Sequence, residues 1–151
     1  MMDEMRERNV GIVKEFFARL EAMDVEGFVG LWADDGVQEM PFAPEGFPKK
    51  LEGKAAIRRQ YGGLPDAYSR MAFPDPAIYP MLDPNLVVAE YRGEIELKSG
   101  GSYNNRYVGI FHLNESGKVS RYAEYFDPIV LTRSFGGGED LGQTFSLPEE
   151  P

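Results

Sequence analysis

Apolar and polar positions alternate most clearly between residues 103 and 128, where the pattern predicts a β-hairpin. Residues 103–114 are rich in Tyr, Val, Ile and Phe and read as its first strand. Strand side chains alternate at period two, so Tyr103, Asn105, Tyr107, Gly109 and Phe111 share one face, with Arg106 and His112 on the other. Glu115-Ser116-Gly117-Lys118 reads as a turn and residues 119–126 as the returning strand, where Glu124 and Phe126 share a face. Upstream, Val10, Val13, Phe16, Phe17, Leu20 and Met23 recur at intervals of three and four, predicting an amphipathic helix over 3–23 with a core-facing stripe. Asp24 is placed to cap a second, short helix through Phe28, Leu31 and Trp32, and Asp34-Asp35-Gly36 reads as the solvated turn that ends it.

Residues 37–42 follow as a strand. Residues 43–53 form a loop broken by two prolines, too polar for a core and suited either to covering a pocket mouth or to plain connection. A third helix is expected over 54–61, stopped by Gly62-Gly63 and Pro65. Pro74, Pro76 and Pro80 make 70–82 an irregular or edge strand. Asp83-Pro84-Asn85 is a turn, and 86–97 is a long strand. Its Val87, Ala89, Tyr91, Gly93, Ile95 and Leu97 lie on one face, and its Glu90, Arg92, Glu94 and Glu96 on the other. An apolar segment runs from Ile129 to Phe135. A single domain is expected over 1–136, with a flexible acidic tail over 137–151.

Composition narrows the function classes. The 151 residues are enough for one domain with a proper core, and 42% hydrophobic with 27% charged residues is ordinary for a globular chain. Ten Phe and eight Tyr point to a large apolar interior, or to a core plus a pocket. A net charge of −9 argues against a nucleic-acid binder, which needs a basic stripe. No apolar run approaches the ~20 residues of a membrane span, and MMDEMRERNV carries no apolar signal region. The absence of cysteine removes disulfide and thiolate chemistry and fits a cytoplasmic setting, while a single His argues against a histidine-based zinc site.

The chemistry left to this chain belongs to carboxylates, tyrosines and arginine, a set suited to proton transfer without cofactor or metal. Glu124 lies in the aromatic run Ala123-Glu124-Tyr125-Phe126 with no adjacent base. Strand pairing alone allows it to face solvent or a pocket. In a pocket, desolvation would raise its pKa toward the working range of a general acid or base. Tyr and Asn groups such as Tyr103, Asn105 and Tyr107 could then hold a carbonyl, imine or hydroxyl. Trp32 suits a core or a pocket wall. Glu90 and Arg92 suit either a solvated face or an ion pair within a cavity, and Glu39 a solvated edge or a cavity strand.

The segments Tyr103-Asn104-Asn105-Arg106-Tyr107, Phe111, Gly117-Lys118-Val119 and Glu124-Tyr125-Phe126-Asp127-Pro128 resemble the closing hairpin of the SnoaL-like families, most closely the group that holds the phenazine-biosynthesis proteins PhzA and PhzB. The resemblance spans roughly residues 8–136 and implies the cone-shaped α+β fold of nuclear transport factor 2, with N-terminal helices packed in a curved, mainly antiparallel sheet. It implies Glu124 as acid/base; beside it, the residues themselves offer Glu90 and Arg92 as candidate catalytic partners, and Glu39, Trp32, Tyr103, Asn105, Tyr107 and Phe126 as candidate substrate-binding residues. Glu39 is implied to point inward. The phenazine proteins place a His in the third helix, where this chain has Arg58, Arg59 and Gln60. Limonene epoxide hydrolase carries Arg and Asp two apart where this chain has Glu90 and Arg92 in reversed order. The implied activity is a cyclisation, isomerisation, condensation or epoxide opening of a small hydrophobic metabolite, by a homodimer without cofactor. The alternative is a non-catalytic binding or structural protein of the same fold.

Overall fold

The structure, a computed structural model, describes residues 2–135; the expected acidic tail over 137–151 lies outside the described residues. Helix α1 (Met2–Glu21) and helix α2 (Val25–Val29) open the chain. Val13, Phe16, Phe17 and Leu20 form the expected buried stripe of α1, but the stripe begins with Asn9 rather than Val10. Asn9 is fully buried because its amide donates to Pro84 O at 2.7 Å, so the helix is clasped to a distant turn and the polar group is satisfied. Asp24 caps α2 as expected: its carboxylate accepts from Gly27 N at 3.0 Å and pairs with Arg19 at 2.7 Å.

Helix α2 is shorter than the sequence pattern predicts. Trp32 opens strand β1 (Trp32–Glu39), and Asp34-Asp35-Gly36 lies inside that strand rather than ending a helix. The pairing register shifts between Trp32 and Val37, so the acidic stretch bulges out of the ladder with both acids exposed. Gly36 is required there, since a Cβ would come within 2.9 Å of the Trp32 ring. Strand β2 (Lys50–Glu52), helix α3 (Lys54–Tyr61) and the short helix α4 (Leu64–Ala67) follow. Pro65 sits at the start of α4, where a missing N–H costs nothing. Strands β3 (Tyr68–Ala72) and β4 (Ala77–Pro80) both pair with the long β5 (Leu86–Leu97).

The hairpin β6 (Ser102–Leu113) and β7 (Val119–Phe126) forms as the alternation predicts, and helix α5 (Pro128–Ser134) follows it. Asp127 caps α5 through Ile129 N. The sheet runs β2-β1-β7-β6-β5-β3 with β4 also on β5; β1–β7 is its parallel pairing and the others are antiparallel. This curled half-barrel holds α1 and α2 against its concave face. Phe16 stands at the centre of the packing, with Phe28, Phe111 and Tyr122 ring centroids 4.8 to 5.0 Å away. No helix among the described residues is long and apolar enough to cross a membrane.

Candidate active site

The concave face does not fill completely. A cavity of about 110 Å³ remains between the sheet, α1, α3, α4 and α5. Its wall takes Tyr61 from α3, Tyr68 from β3, Tyr91 from β5, Tyr103 and Tyr107 from β6, and Tyr122 from β7. Glu124 is the one carboxylate in the wall, and no Lys, Arg or His lines it among the described residues. Phe47, on the loop after β1, is buried against the same space, so this loop supplies wall despite its polar composition.

Register explains how these side chains converge. Directly paired residues of a sheet share a face, and β6 pairs Tyr107 with Phe126, Gly109 with Glu124 and Phe111 with Tyr122. The buried alternation of β6 therefore carries Tyr122, Glu124 and Phe126 inward with it. Gly109 has a particular role. A Cβ there would meet the Tyr122, Phe111 and Tyr91 rings at 2.8, 3.0 and 3.2 Å. With only hydrogen at that point, Tyr91 from one neighbouring strand and Tyr122 from the other meet above β6, and their hydroxyls bond. Tyr122 in turn donates to Glu124 Oε2 at 2.9 Å. The chain of donors thus runs from Tyr91 through Tyr122 to the carboxylate.

Burial pushes the Glu124 carboxyl up to about 7, and the Tyr122 hydrogen bond acts in the opposite direction by favouring the charged form. The phenols of Tyr61, Tyr91, Tyr107 and Tyr122 are held well above their ordinary range by burial first and by the Glu124 charge next among the causes that Tyr61, Tyr91 and Tyr122 share. All remain neutral hydrogen-bond donors near neutral pH. Replacing Tyr122 with Phe removes the opposing hydrogen bond, so the Glu124 pKa rises further. A carboxyl-carbon NMR titration of Tyr122→Phe beside the parent protein reads this directly, and an unmoved or lower pKa refutes the geometry.

Several residues implied by the sequence lie elsewhere. Glu39 is on the convex face, because Gln38 pairs with the inward Tyr122 and Glu39 with the outward Ala123. It forms a two-point ion pair with Arg121, at 3.0 and 3.1 Å, which holds its pKa below the usual range. Gln38 takes the inward place and accepts from Tyr61 at 2.7 Å. Glu90 and Arg92 are also convex and exposed, since the inward residue between them is Tyr91; Arg92 lies 3.7 Å from Glu94. An Arg92–Glu124 pair does not form, as the two lie on opposite faces. Trp32 is fully enclosed in the core rather than in the cavity wall, with its Nε1 unpartnered. Asn105 stands behind the wall and bonds to Tyr103. Tyr103, Tyr107, Phe126 and Glu124 do line the cavity. His112 faces outward and meets Arg121 at 3.3 Å.

The pattern missed Gln38, Tyr61, Tyr68, Tyr91 and Tyr122 as wall residues. Tyr91 was legible as an inward position of β5, but convergence of elements so far apart in the chain leaves no local signal. Among the described residues, no group of three or more His, Cys, Asp or Glu is arranged to hold a metal ion.

Comparison with known proteins agrees with this architecture. An uncharacterized protein of Bacillus subtilis, YesE, is 32% identical over 139 residues, covering 91% of this chain and 92% of its own. An uncharacterized PhzA/B-like protein of Pseudomonas aeruginosa is 28% identical over 121 residues, covering 80% of this chain and 84% of its own. The crystal structure of a candidate isomerase from Bacillus subtilis superposes with a TM-score of 0.81 at 31% identity, covering 88% of this chain and 96% of the other. The SnoaL-like domain profile matches residues 13–122, and with it the chain belongs to the SnoaL-like family, whose nuclear transport factor 2-like fold it has.

Proposed function

We propose that the protein is a small-molecule enzyme that uses Glu124 as a general acid/base in its tyrosine-lined cavity. The observation that carries this reading is the isolated carboxylate, enclosed by aromatic groups and poised at about 7. A group with that pKa exchanges protons readily near neutral pH. The substrate class is a small, largely hydrophobic biosynthetic intermediate, and the reaction class is a cyclisation, isomerisation, condensation or epoxide opening. The PhzA/B-like and isomerase relatives support that class without naming a substrate. The elementary step is testable with 2-indanone, a neutral ketone with removable α-protons, by following deuterium uptake at carbon in D₂O by NMR. The carboxylate is the basic form, so the protein-catalysed rate is expected to rise as pH passes upward through about 7 and then to level. A protein that does not accelerate exchange at any pH counts against the reading.

We also propose that two copies pair through the convex face. Phe42 and Val108 are 55% and 38% exposed there, and both line a shallow groove with Tyr125, Glu90, Arg92 and Arg106. Apolar centre and mixed charge on one face suit a self-complementary contact. Val108→Lys is expected to weaken the dimer by about 30-fold or more, the effect of losing a central contact. Light scattering across a concentration series checks this, and a parent protein that stays monomeric throughout rules the dimer out.

A further inference from the structure

The polar side of the cavity can be assigned by counting protons. Asn105 Oδ1 accepts from Arg106 N at 2.8 Å and from Asp127 N at 3.3 Å, which fixes the amide's orientation. Its Nδ2 then donates to Asp127 O at 3.0 Å and to the Tyr103 hydroxyl at 2.7 Å. The amide is fully used, and Tyr103 is an acceptor toward it. The Tyr103 and Tyr107 hydroxyls also interact with each other. Tyr107 is the donor in that contact, so Tyr103 accepts from both Asn105 and Tyr107 and its own O–H is left over. Tyr68 lines the same cavity from the other side of β5, where it pairs with Leu97 as Tyr103 pairs with Ile95. Its hydroxyl has no hydrogen-bond partner among the described residues. Unused donors therefore come together at one place in the wall. The same wall contains Glu124 but no cation, so an anionic ligand would meet a carboxylate and find no countercharge.

We propose that Tyr103, oriented by Asn105, and Tyr68 form a donor pair that receives the carbonyl oxygen of an uncharged ketone or ester with a removable α-proton. This deepens the acid/base reading and depends on it for chemistry, though not for binding. When Glu124 takes an α-proton, the C–H electron pair becomes a carbon–carbon double bond and the carbonyl π pair moves to oxygen. The two phenols hold that oxygen until the proton returns to carbon. Asn105 is a positioning residue, because it touches Tyr103 and not the cavity.

The test compares three probes of one ring size by ligand-observed NMR: 2-indanone, indane, which lacks the carbonyl, and indane-2-carboxylate, which is charged. Tyr103→Phe and Tyr68→Phe are each expected to weaken 2-indanone by roughly 3- to 10-fold, the effect of one lost hydrogen bond, and to leave indane unchanged. The carboxylate is expected to bind at least about 10-fold more weakly than the ketone to the parent protein. The carbonyl stretch of bound 2-indanone should shift toward its free value in either variant, which a merely structural role would not produce. Equal loss of indane and ketone, unchanged ketone affinity in both variants, tight carboxylate binding, or exclusion of all probes from the parent protein overturns the proposal. Glu124→Gln separates the two readings. If it exchanges protons at the parental rate, the acid/base role falls, whereas the donor pair falls only if the probe series fails.

Discussion

Glu124→Gln is expected to lower the protein-catalysed deuteration of 2-indanone by about 100-fold or more, the lower end of what a positioned general base contributes. The amide keeps the size of the side chain and can still accept from Tyr122, whose donor reaches Oε2 at 2.9 Å in the parent. What it loses is the ability to carry a proton away from carbon. The rise in rate through about 7 should vanish with it, because no other wall residue among those described titrates there: the phenols are displaced upward. Stability moves in the opposite direction from activity. Burial pushes the folded protein's carboxyl up to about 7 from its ordinary 4.5, so the folded state holds its proton more tightly than the unfolded chain. The fold is unpenalised below the unfolded pKa. It loses stability as pH climbs between the two values, by about 3 kcal/mol on the alkaline side. The variant should therefore melt no lower than the parent above neutral pH. A variant that melts lower and is also inactive would mean that the substitution acted through the fold. A well-folded variant with the parental rate would remove Glu124 from the chemistry.

How far this site was readable from the chain depends on where alternation is unbroken. Strand β6 pairs along its length with β5, and its apolar phase could be followed without a break, so Tyr103, Tyr107 and Phe111 were legible as one face. Glu124 and Phe126 were legible as companions, but only pairing with Gly109 and Tyr107 shows that their face is the concave one. Strand β1 reads differently. Its alternation separates Gln38 from Glu39 but does not say which face is concave; Glu39 was implied inward by resemblance alone, and only the pairing of Gln38 with the inward Tyr122 shows that Gln38 enters the cavity. In β5 the polar residues Glu90 and Arg92 are what they look like, the solvent face of a half-buried strand. Their apparent catalytic spacing came from likeness to another enzyme, and Tyr91 between them is the inward residue. The tyrosines of α3 and β3 carry no mark that distinguishes a wall from a core position. Each becomes part of a site only because the sheet curls enough to bring α3 and β3 over the same space as β7.

Phe16→Ala should cost about 3 to 5 kcal/mol, as truncation of an enclosed aromatic does. The ring is completely buried and touches the first two helices and the sheet at once. Phe28 comes from α2, Phe111 from β6 and Tyr122 from β7, with centroids 4.8, 5.0 and 5.0 Å away. Its neighbours are themselves held on several sides, so they cannot collapse into the space it leaves, and the cavity contribution to the loss should be near its full value. Against a typical domain stability of about 5 to 15 kcal/mol, the loss is large enough to bring the midpoint of a urea transition down steeply with little change in slope. Phe16→Leu retains most of the volume and should lose distinctly less. A loss below about 1 kcal/mol for the alanine variant would show that the core repacks freely and that Phe16 is not its keystone. The same substitution also tests the coupling between core and site. Tyr122 packs edge-to-face with Phe16 and donates to Glu124 with its hydroxyl, so the alanine variant, where still folded, should raise the Glu124 pKa as Tyr122→Phe does. A folded Phe16→Ala protein with an unchanged Glu124 titration would mean that Tyr122 is held in place by Tyr91 and Phe111 alone.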